Sequence, residues 1–275
     1  MSAPPRVLIT GCSSGIGLDC AHYLRARGWE VIATCRHPQD VAARESEGFA
    51  TCRLDLDDPQ SVAEAVSFAT QTGPIAALVN NGAFALPGAV EDLPRGGLEA
   101  VFRTNLFGTH DLTRRMIAHF RQTGAGRVVT VSSVLGLVGI PWRGAYVASK
   151  FALEGLTDVL RLEMADTNIR IVLVEPGPIG TMIRQKSVPH FERWIDWRAS
   201  PRRAQYEASL LKRLYEPSGP DRFQLPAQAV SRAIHRALTA PSPRARYAVT
   251  LPTRFAALSR RLLPDSLRDR LMRRA

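Results

Sequence analysis

A doubly wound α/β fold, with one parallel sheet covered by helices on both faces and a single domain spanning 1–275, is predicted by three features of the sequence. Apolar strand-length runs alternate with helix-period stretches through the first 180 residues, the order that βαβ units require. A glycine-rich turn follows the first apolar run. No linker, repeat or low-complexity stretch divides the chain.

The strand runs are Val7–Thr10, Val31–Thr34, Thr51–Leu54, Ala77–Asn80, Val128–Val131 and Ile171–Val174. Between them, Val62, Ala65, Val66 and Ala69, and later Leu153, Leu156 and Leu160, recur at helical spacing. Gly28 and Gly73 stand where helices should stop. From Gly180 to Leu225 the pattern breaks down into a segment rich in Arg, Pro and aromatics: Phe191, Trp194, Trp197, Tyr206, Tyr215 and Phe223. Two readings stay open for it: a lid lining an apolar pocket, or an excursion packed onto the body. A helix is predicted over Pro226–Leu238 and a last strand over Tyr247–Leu251. The tail from Arg254 to Ala275 is basic and amphipathic, with seven Arg against two Asp. Leu258, Leu262, Leu267 and Leu271 mark its apolar face, interrupted by Pro264. That face suits a contact with the chain's own domain, a partner subunit or an anionic membrane surface.

The composition, 45% hydrophobic over 275 residues, is that of a globular chain. No run of eighteen apolar residues is present to span a membrane. Met1–Pro5 runs straight into the first strand, which predicts an intracellular, cytoplasmic protein without a signal peptide. Cys12, Cys20, Cys35 and Cys52 fit no zinc spacing, so they read as free thiols and no metal is expected. The net charge of +11 raises the question of nucleic acid. The arginines are scattered, however, and no DNA- or RNA-binding motif accompanies them, so specific nucleic-acid binding is not expected.

Thr10-Gly11-Cys12-Ser13-Ser14-Gly15-Ile16-Gly17 joins the first strand to a helix. In that setting Gly11 permits a tight turn, Gly15 a close approach to a pyrophosphate, and Gly17 close helix–strand packing. The helix N-terminus then offers free N–H groups and a positive dipole end to phosphates. The end of the second strand reads Ala33-Thr34-Cys35-Arg36-His37, without the carboxylate that would bond an NAD ribose. Arg36, aided by the Ser13 hydroxyl, suits a 2′-phosphate, so NADP(H) is the predicted cofactor.

Ser132-Ser133 closes the fifth strand run, at the carboxyl edge where ligands bind in such sheets. Tyr146 and Lys150 follow at i and i+4, on one helix face. Lysine is found only at 150, 186 and 212, so this register is hard to assign to chance. A phenol ordinarily titrates near pH ~10, and a neighbouring ammonium favours its ionised form. Tyr146 is the predicted general acid/base, Ser133 the donor to the substrate oxygen, and Lys150 the cation that also holds the nicotinamide ribose.

These residues resemble the short-chain dehydrogenase/reductase family over nearly the whole chain. The likeness rests on Thr10–Gly17, on Ser133/Tyr146/Lys150, and on Pro176-Gly177 after the sixth strand. The resemblance implies a Rossmann-type fold and an oxidoreductase. It implies that Asn105 takes part in a water-mediated proton relay, and that Asp55 lies near the adenine amino group. It further implies that Asn80-Asn81-Gly82-Ala83 lies beside the adenine ribose, its last two residues exchanged relative to the family. Pro176, Gly177, Ile179 and Thr181 would meet the nicotinamide and phosphates. The chain is most similar to a subgroup around bacterial NADP-dependent aldehyde reductases, 17β-hydroxysteroid dehydrogenase type 1 and the retinol dehydrogenases. That implies a small apolar aldehyde, ketone or alcohol as substrate. Phe84, Leu86, Leu135, Val138 and Trp142, in loops near the same sheet edge, are pocket candidates. It also implies a homo-oligomer built through the helices carrying Asn105 and Lys150. The rival reading is a non-catalytic dinucleotide sensor on the same fold.

Overall fold

The computed structural model describes residues 3–217 and 219–273. Seven strands form one parallel sheet: β1 (Arg6–Ile9), β2 (Glu30–Cys35), β3 (Ala50–Arg53), β4 (Ala77–Asn80), β5 (Gly126–Val131), β6 (Ile169–Glu175) and, at the edge, β9 (Arg246–Ala248). Their order is β3-β2-β1-β4-β5-β6-β9. The order reverses between β1 and β4, which opens a crevice at the carboxyl ends of the strands.

The strands are apolar on both faces because helices cover both. Val7 and Ile9 of β1 enter one core layer with Leu24, Val129, Val172 and Ile234. Leu8 enters the opposite layer with Leu78, Leu112, Met116 and Phe120. This alternation is what buries every residue of β1 and β4. The six strands predicted through Val174 all form, with ends within two residues of those expected.

The C-terminal strand is the main departure. Tyr247–Leu251 reads as a strand by sequence, but β9 ends at Ala248 and a helix runs over Leu251–Leu262. Thr250 caps that helix by accepting from the Thr253 N–H, and Pro252 sits in its first turn. Both features stop a strand and start a helix. The helix predicted over Pro226–Leu238 forms at Gln228–Thr239.

The aromatic segment is ordered. Two-residue strands β7 (Ile179–Gly180) and β8 (Leu225–Pro226) pair in parallel and close its base. A helix over Ile183–Trp194 and helical turns over 203–215 lie between. Phe191 and Tyr206 are fully buried among Leu86, Ala89, Ile195 and Leu210, while Tyr215 and Phe223 are exposed. The Tyr206 hydroxyl donates to Asp92 at 2.8 Å and accepts from the Ala89 N–H at 2.8 Å. Phe191 and Tyr206, with half-buried Trp194 and Trp197 packed against the same cluster, thus fix the excursion onto the body, while Tyr215 and Phe223 stay at its outer rim.

Pro264 breaks the tail as predicted, into helices over Leu251–Leu262 and Asp265–Met272. The first packs through Thr253, Ala256 and Ser259. Leu258, Leu262, Leu267 and Leu271 remain exposed. The last two residues of the tail lie outside the described ones.

Candidate active site

The phosphate end of the site is a turn that tolerates no side chains. A Cβ on Gly17 would stand 2.2 Å from the Gly11 carbonyl oxygen, and one on Gly11 would stand 2.9 Å from Gly82 Cα. Gly11 and Gly15 also hold φ of +74° and +58°, where β-carbons are disfavoured. Asn81 fastens this turn: its amide nitrogen donates to the Thr10 carbonyl at 2.9 Å, and the Thr10 hydroxyl accepts from the Asn81 and Gly82 N–H groups. Gly82 thereby fits the turn despite its exchanged order with Ala83.

The helix Gly15–Arg25 begins here with no side-chain cap and no acid in its first turn. The N–H groups of Gly15, Ile16 and Gly17 have no partner within the helix. Thr181, just past β7, lies across from Gly15. Lys186 was not singled out from the sequence, yet its Nζ donates to Ser14 Oγ at 2.6 Å and Ser13 Oγ at 3.2 Å. An ammonium beside a positive helix end is mildly unfavourable, by about 0.3–1 kcal/mol at an exposed site, and an anion placed there would offset that. Arg36 is exposed at the end of β2 and bonds His37. Neither Lys186 nor Arg36 has a carboxylate partner among the described residues. Donors and positive charge converge, so the turn fits the anionic groups of a dinucleotide. Asp55 accepts from the Asp57 N–H at 3.0 Å and lies 3.8 Å from Arg53.

The other end of the site is built on β5 and the helix Gly144–Glu163. Ser133 is extended beyond β5, and its hydroxyl accepts from the Leu135 N–H at 3.1 Å. Tyr146, in the first turn of the helix, lies near enough to Ser133 for the serine hydroxyl to favour its ionised form. Lys150 Nζ lies 5.6 Å from the centre of the Tyr146 ring and donates to the Val131 carbonyl at 2.9 Å. Sequence reasoning expects the ammonium to lower the phenol's pKa. Burial wins: Tyr146 is pushed up to about 12, with the nearby Ser133 hydroxyl pulling the other way. The same burial brings the Lys150 amine down to about 8, opposed by Glu154. The amine points at a backbone carbonyl instead of the phenol oxygen, which explains why desolvation dominates.

Asn105 sits in a π-helical bulge, Arg103–Gly108, in the helix run before β5. Its amide holds the Phe84 backbone at both N–H (3.0 Å) and carbonyl (2.9 Å), and it donates to Ser149 at 3.1 Å. Ser149 in turn bonds the Tyr146 carbonyl at 2.8 Å. Asn105 is therefore linked to the Tyr146 helix through one hydroxyl. The Pro176 carbonyl accepts from Val134 at 2.7 Å, tying the loop after β6 to the loop after β5. A Cβ on Gly177 would lie 2.1 Å from the Thr250 hydroxyl, so the C-terminal helix presses directly on it. Ile179 is half-buried at the edge of the Gly15-side core.

Behind Lys150 lies a charge cluster that the sequence did not reveal. Arg246 of β9 pairs with Glu154, with Asp158 at 2.5 Å and with Glu175 at 2.5 Å. Glu154 and Glu175 are buried. Burial raises the Glu175 carboxyl, and neighbouring Glu154 adds to that rise. Only the spacing Tyr146, Lys150, Glu154, one turn each, hinted at it.

Of the pocket candidates, Phe84 stacks on His190 at 4.1 Å and Leu86 lies in the small core under the excursion. Trp142 packs on Tyr206 with ring centres 4.8 Å apart. Val138 packs instead against Ala256 of the tail. Leu135 is half-buried in the loop after Ser133. The four cysteines are free, three of them buried.

The family model for short chain dehydrogenase matches residues 5–191, which contain every one of these groups except the C-terminal ones. The chain is a short-chain dehydrogenase/reductase. It is 38% identical over 268 residues to the uncharacterized oxidoreductase YbbO of Escherichia coli K12, covering 97% of this chain and 93% of that one. It is 33% identical over 276 residues to human 17-beta-hydroxysteroid dehydrogenase type 1, covering 94% and 81%. A crystal structure of a short-chain dehydrogenase from Streptomyces avermitilis superposes with a TM-score of 0.79 at 26% identity, covering 98% and 96%. As a member of this family the chain is an oxidoreductase acting between CH–OH and carbonyl groups of a small molecule, with a nicotinamide dinucleotide cofactor. Among the described residues no helix is long and apolar enough to cross a membrane.

Proposed function

We propose that this protein is an NADP(H)-dependent reductase or dehydrogenase that interconverts an apolar aldehyde or ketone with its alcohol. The observation that carries the reading is the meeting of Tyr146, Ser133 and buried Lys150 at the carboxyl edge of β5, beside the loop holding Pro176 and Gly177. A sensor would need the glycine turn but no phenol placed beside a serine hydroxyl and a buried lysine.

NADPH, when bound, supplies a hydride. Tyr146 is protonated throughout the neutral range, as its raised pKa requires, and donates its proton to the substrate oxygen during reduction. Ser133 donates a hydrogen bond to the same oxygen and stabilises its developing charge. Lys150 places a cation beneath the phenol and holds the nicotinamide ribose. Asn105, through Ser149, fixes the start of the catalytic helix and supports the proton relay. Gly11, Ser13, Ser14, Gly15, Ile16, Gly17 and Thr181 cradle the phosphates. Asp55, Asn81 and Gly82 line the adenosine side, and Pro176, Gly177 and Ile179 the nicotinamide side. Arg36 and Lys186, without a carboxylate partner among the described residues, favour the extra phosphate of NADP(H) over NAD(H).

Phe84, Leu86 and Trp142, together with the rim of the aromatic segment, favour an apolar substrate, in keeping with the steroid named for the human relative. Phe107, Leu156, Val159 and Leu162 are exposed on the two helices that carry Asn105 and Lys150, which supports a homo-oligomer built there. A single-domain, cytoplasmic enzyme is part of the same reading. The test is spectrophotometric: NADPH and NADH compared against a panel of apolar aldehydes and ketones, with Tyr146→Phe alongside. NADPH-linked turnover falling at least about a hundredfold in Tyr146→Phe is expected. Equal turnover by that variant would overturn the mechanism, and preference for NADH the cofactor assignment.

A further inference from the structure

The helix Leu251–Leu262 is turned the wrong way for a soluble protein. Its large side chains, Leu251, Phe255, Leu258 and Leu262, are 63%, 52%, 55% and 69% exposed. Their spacing of four, three and four residues puts them on one narrow stripe. Its small residues, Thr253, Ala256 and Ser259, face inward instead. Ala256 packs on Leu137 and Val138 of the loop that follows Ser133, and Arg260 lies over the Phe151 ring at 5.3 Å. The helix is therefore held from behind while its apolar stripe faces solvent.

The charges on this helix are of one sign. Arg254 and Arg261 are exposed on the same helix and carry no carboxylate partner among the described residues. Arg254 also lines a cleft of about 1160 Å³ along β9, together with Arg232, Arg236 and Arg244, and no Asp or Glu lines that cleft. A second copy of this chain is a poor occupant. Twofold pairing through the stripe would set arginines against arginines, and one stripe of four side chains is well short of the roughly 20 residues a side of a stable dimer. An apolar stripe bordered by cations matches a bilayer whose headgroups are anionic.

We propose that the Leu251–Leu262 helix docks this protein on anionic lipid, with Leu251, Phe255, Leu258 and Leu262 entering the headgroup boundary and Arg254 and Arg261 meeting phosphates. The contact is peripheral and reversible, and it stands apart from the catalytic reading, since it involves none of the site residues. It sets the membrane beside the loop after Ser133, which the same helix supports from behind.

The experiment is vesicle flotation of the full-length protein with pure phosphatidylcholine and with phosphatidylcholine containing phosphatidylglycerol. Wild type should bind the anionic vesicles, more weakly at high salt, and leave the neutral ones unbound. Phe255→Ser/Leu258→Ser should weaken that binding at least about tenfold, since both side chains leave water on docking. Its melting temperature should match wild type, because both residues are exposed. Arg254→Glu/Arg261→Glu should weaken binding by a similar factor. Undiminished binding by Phe255→Ser/Leu258→Ser would reduce the effect to net charge alone and overturn the proposal. So would equal binding to neutral vesicles, binding to neither, or a wild-type dimer that the same double variant dissociates.

Discussion

Replacing Lys150 with methionine separates what this residue does for catalysis from what it does to stability. Burial lowers the Lys150 amine from its ordinary 10.5 to about 8. That difference corresponds to about 3 kcal/mol of unfavourable charge burial in the native state. Because the folded-state value lies below the unfolded one, the unfolded chain holds more protons between about pH 8 and 10.5. Stability should accordingly rise with pH across that window, while below it the full penalty applies. Methionine keeps most of the apolar stem and removes the charge. It leaves the Val131 carbonyl without its donor, a loss of about 1 kcal/mol. The net expectation is a cofactor-free variant about 2 kcal/mol more stable than wild type near neutrality, roughly 4–8 °C in Tm. Urea denaturation of both proteins near neutrality and at about pH 10 measures this, the wild-type-minus-variant difference cancelling other groups that titrate there. Turnover should drop at least about a hundredfold in the same variant. A variant less stable than wild type near neutrality, with an unchanged pH slope, would refute the reasoning.

Arg36→Ala and Lys186→Met should each raise the Kd for NADPH about tenfold, read by cofactor fluorescence, while leaving NADH nearly unchanged. The factor is set at the low end for charge-assisted bonds because both side chains are solvent-accessible. Equal weakening of NADH would move the contact from the 2′-phosphate to the pyrophosphate. Arg246→Met strips the cation from Glu154, Asp158 and Glu175 and should destabilise the fold by about 3 kcal/mol in chemical denaturation. Near-neutral stability in that variant would mean that the carboxylates find protons or solvent instead.

The sheet was legible because its central strands are buried on both faces and read as apolar runs, with glycines at the turns. The glycine turn and the Tyr146/Lys150 register were legible because both are local in sequence. What escaped was non-local. Lys186 reaches Ser13 and Ser14 across more than 170 residues of chain, and nothing near it in sequence marks it as different from Lys212. Arg246 was one arginine among many until β9 brought it to three carboxylates. The end of β9 was misread because Ala248–Leu251 continues an apolar pattern, while the Thr250 cap and Pro252 favour a helix. The phenol's pKa was misjudged in direction because proximity in sequence shows the ammonium but not the burial that outweighs it.

The Arg246 cluster also bears on how the molecule assembles. Glu154 and Asp158 belong to the helix of Tyr146 and Lys150, and Glu175 ends β6, yet the cation that neutralises them comes from the last strand to be added. Until that strand seats, Asp158 and Glu175 lack the arginine that pairs with them, and Glu154 has only the Lys150 amine one turn away. Completing the sheet edge thereby steadies the catalytic helix from behind, so a chain stopped short of residue 246 should hold its chemistry less firmly.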